Sequence, residues 1–121
     1  MINIKFLNSF LSNYWLNYTI LFFFIITFLS LYPLPELPSE IGTDKFHHLI
    51  AYFFLSLAVS TIKPKKYKLI LIFFIFYGGF IEIIQPLVNR FGEISDFIYS
   101  TMGVLISLVI GNYINKFLNK I

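Results

Sequence analysis

The chain has 121 residues, 58% of them hydrophobic and 12% charged, with a formal net charge of +3 and a mean hydropathy of +0.80. Soluble domains carry about a quarter of their residues as Asp, Glu, Lys or Arg, and sixteen Phe with eight Tyr are more than a soluble core of this length can bury, so the composition excludes a soluble domain and predicts an integral membrane protein. The absence of cysteine excludes disulfides, thiol catalysis and thiolate metal centres.

A membrane span needs about 20 mostly apolar residues. The first candidate covers 15–32, "WLNYTILFFFIITFLSLY", and Pro33, Pro35 and Pro38 end it. Lys5 is a thin basic leader and no small-x-small cleavage site follows the apolar run, so the segment is expected to remain as a span rather than be removed. The stretch "YPLPELPSEIG" reads as a semi-rigid connection to the second span.

The second span covers 46–62 and ends at Lys63-Pro64. Just before and inside it, "DKFHHLIAYFF" places charged and imidazole groups at the edge of hydrocarbon. Asp44, His48 and Tyr52 are spaced by four and share one helix face, whereas His47 points elsewhere. Asp44 follows Thr43 and is expected to cap the helix, its carboxylate favouring the positive end of the dipole. His48 then lies about 6 Å deeper.

The third span covers 68–88. Glu82 lies six residues before its end, roughly 9 Å inside at the helical rise, where a carboxyl group is costly unless it is paired, protonated or hydrated. Gln85 is one turn further out and Pro86 starts the exit. Gly78-Gly79, one turn below Glu82, can let another helix approach closely. The fourth span covers 96–113, with Asp96 following Ser95 as Asp44 follows Thr43. Ser100, Gly103, Ser107 and Gly111 form a stripe of small residues suited to close helix packing in lipid.

Four spans make an all-α bundle with both termini on one side. Seven of the nine basic residues, Lys5, Lys63, Lys65, Lys66, Lys68, Lys116 and Lys120, belong to that side, against Lys45 and Arg90 on the other. Positive residues accumulate in the cytoplasm, so the termini are expected there. All six acidic residues, Glu36, Glu40, Asp44, Glu82, Glu93 and Asp96, fall in the outer loops or the outer ends of spans. The basic residues are scattered over span ends where topology explains them, which argues against nucleic acid as a partner.

Three spans thus bring polar groups to a similar depth at one end: Asp44, His48 and Tyr52; Glu82 and Gln85; Asp96 and Ser100. Arg90 is placed to reach over them and Lys45 sits at the rim. Such a set suits an anionic headgroup, with Glu82, His48 or Asp96 as candidate acid or base and Asp44, Lys45, Tyr52, Gln85, Arg90 and Ser100 as candidate binding residues. No residue reads as a nucleophile, and no cofactor is assigned. His48, Glu82 and Asp96 are also a donor set that divalent ions accept, but the sequence alone assigns no metal site.

These same residues carry a family resemblance. "DKFHHLIAY" resembles the Asp-Lys-x-x-His-x-x-x-Tyr segment of the VanZ-like family at Asp44, Lys45, His48 and Tyr52. "EIIQ" resembles its Glu-x-x-Gln at Glu82 and Gln85, and "RFGEISDFIYSTMG" its Arg…Asp-x-x-x-Asn-x-x-Gly segment at Arg90, Asp96 and Gly103. Ser100 departs from the pattern, which usually has Asn there; serine keeps a donor and acceptor but with shorter reach. The resemblance extends over about residues 15–115. It implies a small helical membrane protein of the cell envelope, in a family associated with resistance to teicoplanin-type glycopeptides.

Three functions are weighed. The leading one is an outward-facing site in the cell membrane that binds or modifies a polar lipid or a lipid-linked cell-envelope precursor. The second is proton or ion transport through Glu82 and His48. No ionisable residue occupies the inner half of any span, so a through-path would need a homo-oligomer. The third is a structural or regulatory membrane subunit in which the polar set serves only helix packing.

Overall fold

The structure is a computed structural model that describes residues 4–32, 43–88 and 94–119, without the side chains of residues 4, 43, 44 and 88. Four helices account for nearly all of it: α1 (Ile4–Leu31), α2 (Thr43–Ile62), α3 (Tyr67–Ile84) and α4 (Ile94–Asn119), with a 3-10 turn at Gln85–Val88 closing α3. No strand occurs among the described residues. Each helix is long and apolar enough to cross a membrane, and the chain is an all-α, multi-pass membrane bundle.

The helices outrun the expected spans at both ends of the sequence. α1 starts at Ile4 rather than near Trp15, and α4 continues to Asn119 rather than Tyr113. The hydrocarbon core is about 30 Å thick, whereas 28 residues of helix reach about 42 Å. An apolar window therefore marks where lipid begins, not where the helix does. No Gly or Pro interrupts 4–14, so α1 runs on through the polar Asn8, Ser9 and Asn13.

α3 shows the opposite effect. Pro86 has no N–H and its ring crowds the carbonyl four residues back, which is that of Glu82. The α-helix stops at Ile84 and tightens into the 3-10 turn, with the Gln85 N–H donating to the Ile81 carbonyl.

At the other end of α3 a short turn joins it to α2. Lys63 (φ 54°) and Lys66 (φ 63°) both adopt the left-handed conformation. The Lys63 N–H donates to the Val59 carbonyl at 2.9 Å and the Tyr67 N–H to the Pro64 carbonyl at 3.0 Å. The Lys63 ammonium lies 4.6 Å from the centre of the Tyr67 ring, a cation–π contact that binds the turn to the start of α3.

The bundle is more polar inside than outside. Phe24, Phe28, Phe76, Ile83 and Phe117 are largely exposed, while Ser56, Ser60, Ser100 and Ser107 are fully buried. Lipid tails are as apolar as leucine, so association rests on close packing and interhelical hydrogen bonds. α2 and α4 pack the closest. A Cβ added at Gly103 would collide with the Leu49 carbonyl oxygen, and one added at Gly111 would lie 2.6 Å from Ser60 Cβ. Between these two glycines the Ser60 and Ser107 hydroxyls are 3.2 Å apart, and Asn115 Nδ2 donates to the Thr61 carbonyl at 2.7 Å.

α1 is held against α2 and α3 by aromatic and hydroxyl groups. The Tyr18 hydroxyl donates to the Phe54 carbonyl at 2.5 Å. The Thr27 and Tyr77 hydroxyls share a short hydrogen bond, and the Phe23 and Tyr77 rings are 4.5 Å apart. The antiparallel course of the helices brings Ser30, His48, Gln85 and Asp96 to one end of the bundle, and Lys5, the Lys63–Lys68 turn and Lys116 to the other.

Candidate functional site

His48 on α2, Glu82 on α3 and Asp96 on α4 meet at that first end. Their side chains are 10%, 9% and 4% exposed, so each faces the interior of the bundle. Glu82 Oε1 lies 3.8 Å from His48 Nδ1, and Asp96 Oδ2 lies 3.8 Å from His48 Nε2. The imidazole thus stands between two carboxylates, one at each nitrogen.

The surroundings fix the ring. Ser100 Oγ is 3.2 Å from His48 Nδ1, and the Tyr52 ring stacks on the imidazole with centres 6.4 Å apart at 11°. Serine suits this position because Gly78 faces it: a Cβ at Gly78 would lie 3.3 Å from Ser100 Cβ and 3.6 Å from the edge of Tyr52. The Tyr52 hydroxyl is buried and has no hydrogen-bond partner among the described residues, as is also true of Gln85 Oε1.

Gln85 does more than line the opening. Its Nε2 donates to the Ser30 carbonyl at 3.2 Å, tying the end of α3 to the end of α1. This link has no sign in the sequence, since a backbone acceptor can lie behind any residue. The Thr27–Tyr77 pair, deeper in the bundle, is likewise unmarked by any motif. Its only sequence signal is two hydroxyl side chains inside apolar runs.

Asp44 and Asp96 do not occupy the capping positions expected for them. α2 begins at Thr43 and α4 at Ile94, so both acids stand within the first turn. A carboxylate there still gains from the helix dipole, and this frees Asp96 to turn inward, where it is 2% exposed. The Asp44 side chain and all of Arg90 lie outside the described residues. Lys45 is half-buried on the first turn of α2 and pairs with no described residue. His47 is exposed and takes no part in the cluster.

A groove of about 380 Å³ opens beside the cluster, between α1 and α2. Phe22, Ile26 and Leu29 form its apolar wall, and His47, His48, Tyr52 and Gln85 its polar end. A largely apolar groove of about 530 Å³, bordered by Phe10, Trp15 and Leu57, lies toward the opposite end of α1 and contains no acid, lysine or histidine. Between the cluster and the lysine-bearing end, the spans contain no Asp, Glu, His, Lys or Arg. The arrangement can hold a charged group at its polar end and an alkyl chain along the groove. Compared with protein-family models, curated proteins and solved structures, the chain matches none.

Proposed function

We propose that this chain is a VanZ-like protein of the cell membrane whose polar end binds or modifies a polar lipid or a lipid-linked cell-envelope precursor. The observation that carries the proposal is the double role of His48. It is the centre of the acid–imidazole cluster and also part of the wall of the groove. A headgroup held at His48 would leave its alkyl chain beside Phe22, Ile26 and Leu29. The VanZ-like motifs fall on the same residues, and the family association with teicoplanin-type glycopeptides suits an envelope precursor as ligand. In a reaction, Glu82, Asp96 or His48 is the group that moves a proton, with Lys45 and Arg90 as the cations offered to phosphate-like charge.

The orientation belongs to the same proposal. The described lysines other than Lys45 gather at the end opposite the cluster, which supports cytoplasmic termini and an outward-facing site.

Native mass spectrometry of the purified chain, extracted in a mild detergent from a cell-wall-forming bacterium, tests the proposal. A polyprenyl-phosphate or anionic glycerolipid should be retained by the natural chain and by Lys65→Ala, and lost from His48→Ala. Equal retention by both variants, or retention of no lipid, would overturn it. Glycopeptide susceptibility at matched expression gives the second readout: His48→Ala should abolish any resistance the chain confers, and Lys65→Ala should preserve it.

A further inference from the structure

We infer that His48, Glu82 and Asp96 together bind one divalent transition-metal ion of the Zn²⁺ or Mn²⁺ type. One nitrogen of His48, one oxygen of Glu82 and one oxygen of Asp96 lie within 4.8 Å of one another. Ligand bonds of about 2.0–2.2 Å place neighbouring donors roughly 3 to 3.6 Å apart around such an ion. The ligating nitrogen has one carboxylate at 3.8 Å, and the other carboxylate, 3.8 Å from the opposite nitrogen, closes on the ion from within the 4.8 Å spread of the donors by side-chain rotation. One imidazole and two carboxylates form a mixed N/O set that suits borderline ions. Three protein donors also leave coordination positions open for water or for oxygens of a ligand.

One further observation points the same way: among the described residues, Tyr52 Oη and Gln85 Oε1, each on a residue 1% exposed, are buried oxygens without hydrogen-bond partners. Tyr52 stacks on His48 and Gln85 stands one turn from Glu82, so both border the cluster. Buried polar atoms are almost always satisfied, and water molecules bound to an ion between the three helices would supply both. Ser100, 3.2 Å from His48 Nδ1, acts as the outer partner that orients a ligating imidazole.

The site is the one proposed above for a headgroup, and the ion's role toward that headgroup rests on that reading. It would face phosphate-like oxygens with a cation. Binding of the ion itself does not require a lipid, so the two are measured separately. The full chain, untagged, is purified in detergent, delipidated, stripped with EDTA and titrated calorimetrically with Zn²⁺ and with Mn²⁺. One ion should bind per chain. Glu82→Gln and Asp96→Asn should each weaken binding at least about tenfold, while His47→Ala leaves it unchanged. Pulsed EPR of the Mn²⁺-loaded natural chain should show coupling to one imidazole nitrogen. That measurement decides the matter if the carboxamide variants do not fold, which thermal unfolding reveals. Absence of stoichiometric binding, absence of nitrogen coupling, or unchanged affinity in folded Glu82→Gln and Asp96→Asn would overturn the inference. Lipid retention without metal binding overturns the ion alone. Metal binding without lipid retention overturns the lipid reading alone.

Discussion

Both carboxylates of the cluster converge on the imidazole of His48. Its removal should therefore cost more than that of either acid. His48→Ala leaves two buried carboxyl groups with no base between them, and breaking a buried ion pair typically costs about 3–5 kcal/mol. Glu82→Gln keeps shape and hydrogen-bonding capacity and should cost about 1 kcal/mol, the size of one altered hydrogen bond. Unfolding in detergent should rank the variants His48→Ala far below Glu82→Gln, with Glu82→Gln near the natural chain. Retained stability with lost function in Glu82→Gln separates chemistry from packing; a collapsed bundle would assign Glu82 to packing. The turn offers a control remote from the site. Lys63 holds a left-handed backbone at a helix end where glycine is the usual occupant, so Lys63→Gly should stabilise by about 0.5–1 kcal/mol. A loss of stability would mean that the Lys63 contact with Tyr67 outweighs backbone strain.

The elements were legible in the sequence in proportion to what composition records. Four apolar runs mark four helices, and the spacing of His48 and Tyr52 or of Gly103, Ser107 and Gly111 gives the inward faces. The depth of Glu82 could be computed from the helical rise alone. The ends of α1 and α4 could not, because a helix continues into polar surroundings until something stops it. The Gln85–Ser30 link was invisible because its acceptor is a carbonyl, and the cap positions were misplaced because Thr43–Asp44 and Ser95–Asp96 suit both a cap and a first turn. Where the sequence did mark a close approach, the consequence is measurable. Gly103 sits against the Leu49 carbonyl and the Phe53 N–H, with backbone rather than flexible side chain in the way. Gly103→Ala should force α2 and α4 apart and destabilise by about 1–3 kcal/mol, the usual range for overpacking. Gly79→Ala meets the Phe97 ring edge at 3.3 Å, which can turn aside, and should cost less. Equal thermal unfolding of the two variants would remove α2–α4 contact as the centre of the bundle.

For the molecule as a whole, charge is distributed along the membrane normal. One end carries Lys5, Lys63, Lys65, Lys66, Lys68 and Lys116, and the other carries the His48, Glu82 and Asp96 cluster. Each lysine close to an anionic cytoplasmic leaflet gains about 1 kcal/mol, and positive loops also resist translocation during insertion. Both effects favour the same orientation, with the lysine end in the cytoplasm. The chain contains no cysteine, so single cysteines report position without background. Leu87, 82% exposed, stands at the cluster end and Asn119, also exposed, at the lysine end. In intact cells a membrane-impermeant maleimide should label Leu87→Cys, and should label Asn119→Cys only after permeabilisation. The reverse pattern would place the acid–imidazole cluster on the cytoplasmic face. An envelope precursor presented outside could not then reach it, while the geometry around His48 and the binding of a metal ion there would stand unchanged. Orientation is therefore the measurement that separates what the site can hold from where it can find it.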